Sequence, residues 1–441
     1  MSALLIFTRP HALFLPLFRV GGRTHTLLQT AMGFREHVSG RGVVGAALNL
    51  SVTTIGAGVL AIPSTFQDGG ICFVVGMLVL VGIMTVFSID YLIRCIDHLH
   101  LKSYEDISRE LLGRWFEEAV RWILILYNIG MAAGYIVVIG EIFTPILPLI
   151  QPYLPFLTDT SHVMIMAWAF ILLPLSCIPK ITKMNYICFV AIMATFLISA
   201  IIVYRYIVPY DGKRNDVKVT YLSLNERAFL AMPVMMFSFD CQSLVFQIYN
   251  NLRAATRVNM MKVASLSVSV TGVVYLVVGL FGYLTHTPNI TGNILTNYNP
   301  LKDHLFAVGE AVYSFTVMAA YVLVLFPCRD AVFIYMYGHN TATHELAHAA
   351  ISTRQNLIAS VLLSILSIFL AMRVTGVVVV IALLGGLCSS TICFSYPAAF
   401  RIMLHIRGLD RCKPMELVTA IGMLVFGVLG GIFGTVIAIR M

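Results

Sequence analysis

Long apolar stretches alternate with short polar connections along nearly the whole chain. A helix needs about 20 mostly apolar residues to cross the hydrocarbon core of a bilayer, and stretches of that kind recur between charged residues, prolines, glycines and asparagines. The pattern predicts an all-α polytopic membrane protein with eleven spans, at residues 43–63, 70–93, 120–144, 162–178, 185–208, 228–249, 263–286, 304–328, 355–372, 374–399 and 415–438. These stretches are numbered spans 1 to 11 below.

Composition excludes a water-soluble globular protein. Of the 441 residues, 59% are hydrophobic and only 11% are charged, whereas soluble domains carry about 25% charged residues. We expect residues 1–42 to form a cytoplasmic tail and residues 43–441 a single transmembrane domain. The nine cysteines form no C-x-x-C pair, so the sequence predicts neither a disulfide framework nor a metal site, and we expect no cofactor.

The basic residues predict how the chain crosses the membrane. If the N-terminus is cytoplasmic, 21 of the 29 Lys and Arg residues fall on the cytoplasmic side and 8 on the other. The positive-inside rule therefore places the C-terminus outside the cell or in a lumen. This topology explains the net charge of +8 without a nucleic-acid partner. The plasma membrane is the default expectation, and the oligomeric state stays open.

Two of the spans contain residues that a lipid-facing helix avoids. Span 1 carries Gly56 and Gly58 in its middle with Pro63 just beyond, and span 6 carries Pro233 followed by the polar segment 237–243. A backbone that leaves helical geometry inside a bilayer exposes amide and carbonyl groups, each costing several kcal/mol if unsatisfied. Such breaks predict a cavity lined by protein, although close helix contact is an alternative explanation for the glycines alone.

Spans 1 and 6 are also the first members of two successive groups of five. Interrupted helices at matching positions of two halves are typical of inverted-repeat transporters, whose binding site lies at the midplane of the membrane. The sequence therefore predicts repeat one at about 43–208, repeat two at about 228–399, and span 11 outside the repeat, at about 415–438. Free amide groups at one break attract an anion and free carbonyls at the other attract a cation, so the expected ligand is a zwitterion such as a free amino acid.

At this point the sequence resembles the amino acid/auxin permease family, over nearly all of residues 41–440. The residues that carry the resemblance are Asn49-Leu50-Ser51, Gly56-Ala57-Gly58-Val59-Leu60, Tyr127-Asn128-Ile129-Gly130, Gly134-Tyr135, Ile139-Gly140-Glu141, Phe237-Ser238-Phe239-Asp240-Cys241-Gln242 and Leu325-Phe326-Pro327-Cys328-Arg329.

The resemblance implies eleven spans, a LeuT-like five-plus-five inverted repeat and transport of amino acids by alternating access. It also implies that the glycine stretch of span 1 holds the substrate carboxylate and that the break of span 6 helps to hold the amino group. These roles fall on Gly56, Ala57 and Gly58, and on Phe237, Ser238 and Phe239.

Four acidic residues lie within the predicted spans, where a carboxylate costs roughly 2.5–3.5 kcal/mol and therefore faces a cavity or a partner. Asp90 precedes Arg94 by four residues, which favours a local ion pair. Glu141 matches an acid that is frequent in the family and is expected to support the transport machinery. Asp240, with Glu310, is expected to receive a cationic side chain, which predicts arginine or lysine as substrate. A hydrogen-bonded or proton-carrying Asp240 is the alternative.

The coupling ion is less defined by the sequence. Candidates for coupling or gating are Asn49, Thr53, Glu141, Glu310 and Thr316. Family members that use sodium resemble this chain at Asn49, but the hydroxyl-bearing position in their eighth span falls on residues 318–321 here. The departure favours a proton-driven carrier or a uniporter over sodium coupling. A proton-coupled carrier of neutral amino acids is the second interpretation within transport.

A function of another class is suggested by a short motif between spans 8 and 9. His344, Glu345 and His348 form an H-E-x-x-H pattern, which on a helix binds zinc and supplies a general base. Its polar surroundings and the lack of a further ligand nearby make a membrane zinc metalloprotease the weaker interpretation. The sequence therefore predicts a transporter and not an enzyme.

Overall fold

The computed structural model describes residues 42–101, 103–153, 159–177, 184–210, 219–223, 225–337, 352–374 and 376–440. Helices account for nearly all the regular structure in these ranges. Nine of the helices are long and apolar enough to cross a membrane, and a pair bent by 57° makes a tenth. A shorter apolar helix, Thr160–Ser176, corresponds to the predicted span 4, so its crossing of the bilayer stays a prediction.

The helices follow the predicted order. Span 1 consists of two helices, here called spans 1a and 1b, and span 6 likewise consists of spans 6a and 6b. The bounds are Val43–Ile55 for span 1a, Gly58–Gly69 for span 1b, Ile71–Leu99 for span 2, Arg114–Phe143 for span 3, Thr160–Ser176 for span 4, Met184–Ile207 for span 5, Ala231–Ser238 for span 6a, Gln242–Asn251 for span 6b, Arg257–His286 for span 7, His304–Tyr337 for span 8, Thr353–Ala371 for span 9, Val377–Ile406 for span 10 and Pro414–Arg440 for span 11.

Several helices extend beyond the stretches marked by hydropathy. Span 1 ends at Gly69 rather than at residue 63, because Pro63 lies inside a helix that began only at Gly58. Span 3 begins at Arg114 rather than at residue 120, since Glu117 and Arg121 pair along its surface at 2.9 Å. Charged residues mark where the apolar core ends, whereas backbone hydrogen bonding can continue past that point.

Contacts between the spans show the relation between the two halves. Spans 1 to 5 correspond to spans 6 to 10 in the same order. When each span is exchanged for its counterpart, a pair of contacting spans becomes another contacting pair: 1–7 becomes 6–2, 1–5 becomes 6–10, 3–10 becomes 8–5, 3–9 becomes 8–4, and 5–7 becomes 10–2. The pairs 1–6, 2–7 and 3–8 exchange into themselves. The contacts therefore show the exchange expected of a five-plus-five repeat. With span 4 crossing as predicted, each half contains an odd number of spans, and the halves cross the membrane in opposite directions.

Span 11 has no counterpart in this exchange. It packs along spans 10 and 6a, where Gly430 faces Met232 and Met236 and Gly434 faces Pro233. In span 3, Gly130 and Gly134 likewise face side chains of span 10. Both glycine pairs therefore serve close helix contacts within the bundle.

Ion pairs join four spans at the end of the bundle where spans 2 and 10 finish. Asp90 binds Arg94 at 3.0 Å, as its spacing predicts, and also Arg257 at the start of span 7 at 2.6 Å. Arg94 continues to Asp410 at 3.0 Å. The complete ion-pair cluster consists of Asp90, Arg94, Arg257, Arg401, Asp410 and Glu416.

Candidate functional site

The break in span 1 lies at Gly56 and Ala57, as the sequence predicts. Gly56 has φ 26° and ψ −136°, a conformation that side-chain-bearing residues rarely adopt. Span 1b starts at Gly58, and the first amide groups of a helix have no carbonyl one turn earlier to bind. These amides carry the positive end of the helix dipole, so the break offers hydrogen-bond donors to an anion.

The carbonyl groups at the same break are already bound by tyrosines from other spans. Tyr313 of span 8 donates to the Gly56 carbonyl at 2.8 Å, and Tyr275 of span 7 donates to the Thr54 carbonyl at 2.7 Å. Tyr135 of span 3 also faces the break, because a Cβ atom at Gly56 would lie 2.7 Å from its hydroxyl oxygen. With these acceptors satisfied by protein, the break favours an anionic ligand group over a cationic one.

The break in span 6 covers Phe239, Asp240 and Cys241, between the end of span 6a at Ser238 and the start of span 6b at Gln242. Local contacts hold the turn. The Asp240 amide donates to the Phe237 carbonyl at 3.0 Å, and the Cys241 amide donates to Oε1 of Gln242 at 2.9 Å. The C-terminal end of span 6a carries the negative end of a helix dipole, which suits an ammonium group.

The two breaks meet at Gly58 and Ser238. A Cβ atom at Gly58 would lie 2.6 Å from Oγ of Ser238, so only glycine allows this approach. Tyr275 joins the breaks a second time, because its hydroxyl lies 2.7 Å from the Thr54 carbonyl and 2.6 Å from the Ser238 carbonyl. The ring of Phe239 packs edge-on against Tyr275 at 5.3 Å. The structure thus brings together the two segments that the sequence assigns to the substrate site.

The side chain of Asp240 lies against spans 3 and 10. Tyr127 of span 3 and Ser389 and Cys393 of span 10 face its carboxyl group. The residue is only 5% exposed, and its Oδ2 atom accepts no hydrogen bond from any residue that the structure describes. The side chains around the carboxyl group are therefore hydroxyl and thiol groups, with no cation among them.

A chain of hydrogen bonds fixes span 6b beside Asp240. Nε2 of Gln242 donates to Oγ of Ser88 at 3.2 Å, and the Ser88 hydroxyl donates to the Cys393 carbonyl. Span 10 is π-helical over Gly385–Ser395 in this region, and such wide turns concentrate at functional sites. Spans 2, 6 and 10 are therefore coupled through polar contacts next to the break.

Glu141 has a different environment from Asp240. It lies at the end of span 3, where its Oε1 accepts a hydrogen bond from the Val377 amide at 3.1 Å and its Oε2 accepts one from Nδ2 of Asn293 at 2.9 Å. Val377 is the first residue of span 10, so the carboxylate caps that helix. Glu141 thereby joins span 3, span 10 and the connection after span 7.

The other candidates for coupling or gating are spread over two spans. Asn49 and Thr53 lie in span 1a, where the Thr53 hydroxyl donates to the Leu50 carbonyl at 2.8 Å. Glu310 and Thr316 are buried in span 8, and within the described chain neither Oε1 of Glu310 nor Oγ1 of Thr316 has a hydrogen-bond partner. Tyr321 bonds Ser364 of span 9 at 2.8 Å, so its hydroxyl serves a helix contact. The motif at His344, Glu345 and His348 lies outside the described residues.

Sequence reasoning missed the tyrosines that bind the breaks. Tyr275 and Tyr313 are nearly inaccessible and lie deep in spans 7 and 8. Tyrosine in a membrane helix is enriched at the interface, so one at membrane depth needs a partner for its hydroxyl. That signal was available, but it does not identify which of 19 tyrosines reaches which break.

Two antiparallel helical repeats, each opening with a broken span, and a meeting point of both breaks at membrane depth define a class of multi-pass membrane transporters. The family model for "Transmembrane amino acid transporter protein" matches residues 39–440. The chain belongs to this family of amino acid transporters, which makes it a transporter and not an enzyme.

Two relatives are amino acid transporters by name, in agreement with this assignment. The sodium-coupled neutral amino acid transporter 7 of Mus musculus is 22% identical over 404 residues, which cover 87% of this chain and 86% of the relative. The vacuolar amino acid transporter 6 of Saccharomyces cerevisiae is 25% identical over 295 residues, covering 65% of this chain and 64% of the relative. Among solved structures, a Na⁺-coupled sialic acid symporter in a substrate-bound outward-open state matches 90% of this chain with a TM-score of 0.49 and 12% identity.

Proposed function

We propose that the protein carries neutral amino acids across a membrane by alternating access and that protons drive the transport. The observation that carries the proposal is the asymmetry of the span 1 break. Its carbonyls at Thr54 and Gly56 are bound by tyrosines, whereas span 1b begins at Gly58, next to Ser238, and the first amides of a helix have no carbonyl one turn earlier to bind. The substrate carboxylate binds at Gly56, Ala57 and Gly58, and its amino group binds at the end of span 6a.

A neutral substrate side chain fits the surroundings of the two breaks. Phe237 and Phe239 flank Ser238 and are buried there, and Phe239 packs on Tyr275. Asp240, the residue expected to bind a cationic side chain, lies against Tyr127 and span 10 and is buried there. One relative is also a neutral amino acid transporter by name. These observations support the neutral interpretation over arginine or lysine.

Proton coupling is supported by what surrounds the acids and by the state of the hydroxyl group at the expected place in span 8. Residues 318–321 offer one hydroxyl, that of Tyr321, and it is hydrogen-bonded to span 9. Sodium binds through several oxygen ligands, so losing one from such a site weakens it. Asp240 and Glu310 have buried carboxyl groups that face no cation among the described residues, and they remain as proton acceptors.

The test is uptake of radiolabelled L-amino acids by the purified protein in proteoliposomes. We expect accumulation of neutral amino acids when the outside is more acidic than the inside, with no dependence on replacing sodium by choline. A requirement for sodium would contradict proton coupling. Absence of exchange of any labelled amino acid against the same unlabelled amino acid would contradict the transport function.

Transport of cationic amino acids is the second candidate, because Oδ2 of Asp240 has no hydrogen-bond partner in the described chain. The same proteoliposomes decide between the two. If arginine or lysine competes with the labelled substrate better than every neutral amino acid, and Asp240→Asn removes that preference, the cationic interpretation replaces the neutral one.

A proton gradient as driving force is compatible with more than one membrane. The plasma membrane is the default, but a proton-driven carrier is equally suited to an acidic organelle, and one relative is vacuolar by name. We propose that the free amino acid substrate and the lipid bilayer are the partners needed for transport. Microscopy of a fluorescently tagged full-length chain in its native cell identifies the membrane.

A further inference from the structure

The carboxyl group of Asp240 has an environment that transport of a neutral amino acid does not by itself explain. It lies at membrane depth, its residue is 5% exposed, and Oδ2 accepts no hydrogen bond within the described residues. Oγ of Ser389 is likewise buried, close enough to the carboxyl group to interact with it but outside ordinary hydrogen-bond geometry. A buried acceptor that lacks a well-formed hydrogen bond is costly, so the arrangement points to a proton on the carboxyl group or to a ligand beside it.

The groups around Asp240 cannot balance a negative charge. The titratable side chains that face it are Tyr127 from span 3, Tyr104 from the short helix Tyr104–Leu112, and Cys388, Cys393 and Cys241. Phenol and thiol groups are ordinarily uncharged at neutral pH. The neighbouring Ser88 and Gln242 are neutral. An isolated carboxylate at this depth is expensive, so the closed arrangement disfavours the charged form of Asp240.

The same carboxyl group would be stabilised as an anion once water reached it. Asp240 lies two residues before span 6b, whose ten residues begin at Gln242, and a helix N-terminus favours a negative charge. The Ser389 hydroxyl has a free donor available for the carboxylate. Deprotonation therefore requires solvent access more than any rearrangement of charged partners.

The position of Asp240 links that solvent access to transport. It lies between spans 6a and 6b, and Tyr275 ties the end of span 6a to the break of span 1 through the Ser238 and Thr54 carbonyls. A movement that separates the breaks to admit substrate also loosens the contacts over Asp240. Opening to one side of the membrane thus exposes the substrate site and the carboxyl group together.

We propose that Asp240 is the proton-carrying residue of the transport cycle, with Ser389 as the hydroxyl that stabilises its charged form. The proposal rests on the function proposed above. When the site is open to one side, the O–H bond of the carboxylic acid breaks and the proton passes to a water molecule. When the site is open to the other side, the carboxylate takes a proton from water and the O–H bond forms again. One proton moves per cycle, and no other reactant is needed.

Glu310 is the competing proton carrier, since it is 3% exposed and its Oε1 also lacks a hydrogen-bond partner in the described part of the chain. Its place is less suitable. It lies in the continuous helix of span 8, one turn before Tyr313, rather than in either break. Movement of the breaks therefore exposes Glu310 less directly than it exposes Asp240.

The experiment compares two assays on the same proteoliposomes, and both use the labelled neutral amino acid that the wild-type protein takes up best. One assay is accumulation driven by a pH gradient of one unit, and the other is exchange at equal pH on both sides. Because one pH unit is a tenfold difference in proton activity, carrying one proton per substrate gives about tenfold accumulation. We expect Asp240→Asn to reduce accumulation to a ratio near one while exchange continues.

Further variants separate a proton carrier from a structural residue. Asp240→Glu should restore accumulation and move the pH at which exchange is half-maximal, and Ser389→Ala should move that pH upward, because it removes a donor to the carboxylate. Normal accumulation by Asp240→Asn, or loss of accumulation in Glu310→Gln alone, would overturn the proposal. An unchanged pH profile in Asp240→Glu would do the same even if Asp240→Asn fails to fold. Absence of exchange in the wild-type protein would instead contradict the proposed function.

Discussion

At the scale of single residues, one hydroxyl group holds the two breaks together. The oxygen of Tyr275 lies within hydrogen-bonding distance of the Thr54 and Ser238 carbonyls, and it has one proton to share between them. Both carbonyls belong to helix ends at membrane depth, where no lipid group can replace the donor. The sharing lets Tyr275 transfer its hydrogen bond from one break to the other as they move.

We therefore expect Tyr275→Phe to impair transport while preserving the fold. The ring remains to pack on Phe239, but two buried carbonyls lose their donor, at about 1–3 kcal/mol for an unsatisfied group. Uptake at low substrate concentration should fall roughly tenfold, a change that corresponds to about 1.4 kcal/mol. The matched control is Tyr283→Phe in the same helix, whose hydroxyl binds the Thr220 amide instead. Equal losses in both variants would contradict the role assigned to Tyr275.

The contact of Gly58 with Ser238 gives a second prediction at this scale. Gly58→Ala would place a Cβ atom 2.6 Å from Oγ and 3.0 Å from Cα of Ser238, and overpacking of this kind costs about 1–3 kcal/mol. Initial uptake should fall at least fivefold and recover in part when Ser238→Gly is added, because the clashing side chain is then absent. Gly76→Ala is the control, since a Cβ atom there meets nothing within 4 Å. A fully active Gly58→Ala would show that the breaks need not approach so closely.

Sequence reasoning succeeded at residues whose chemistry is unusual for their location. Two closely spaced glycines followed by a proline in span 1, and a proline followed by an acid in span 6, mark both breaks, and the structure interrupts both helices at these places. The direction of the Asp240 side chain could not be inferred in the same way. A break removes the helical periodicity that normally tells which face a residue occupies.

At the scale of helices, Glu141 controls where span 10 begins. Its carboxylate accepts the Val377 amide, and a negative group at a helix N-terminus is favoured by the helix dipole. Its second oxygen binds Asn293 in the connection after span 7. One side chain thus orders a helix start and a loop against the end of span 3.

Replacing Glu141 should lower stability without abolishing substrate binding. Loss of a helix cap costs roughly 1 kcal/mol, so Glu141→Gln should reduce the melting temperature of the protein in detergent and Glu141→Ala should reduce it further. Asn293→Ala removes one of the two contacts. If the effects of Glu141→Ala and Asn293→Ala were simply additive, the hydrogen bond between them would contribute nothing, because contacting residues couple by about 0.5–3 kcal/mol.

The existence and order of the helices were predictable, because apolar stretches of membrane length are a strong signal. The ends of the helices were not predictable, because hydropathy marks the lipid boundary and a helix can continue beyond it. Span 2 continues to Leu99 and span 8 to Tyr337. Span 4 has a further irregularity. Thr160–Ser176 is shorter than the other spans and contains a wide π-helical turn at Trp168–Leu172.

At the scale of the whole molecule, the ion-pair cluster ties spans 2, 7, 10 and 11 into one unit. Asp410 lies in the connection between spans 10 and 11. Partial burial raises the pKa of Asp410, but the hydrogen bond from Arg94 and the charges of Arg401 and His98 outweigh this effect and hold the pKa below its ordinary value. The charged form of Asp410 is therefore stabilised by folding.

The depressed pKa fixes the sign of the pH dependence. A carboxyl group whose pKa is lower in the folded protein contributes stability above its unfolded value, near pH 4, and loses that contribution as the pH falls through the folded value. We expect the melting temperature of the wild-type protein to drop between pH 5 and roughly pH 3 more steeply than that of Asp410→Asn. Parallel curves for the two proteins would show that Asp410 does not contribute.

Span 11 finally makes the two halves unequal. Consider the ten paired helices alone. In an inverted repeat, the arrangement open to one side becomes the arrangement open to the other side when the two halves exchange their conformations. The two arrangements would then have similar free energies. The eleventh helix packs on Pro233 and Met236 in the second half, and among the described helices none outside the repeat packs on span 1 in the same way. This one-sided contact removes the degeneracy, so we expect the empty carrier to favour one of its two orientations.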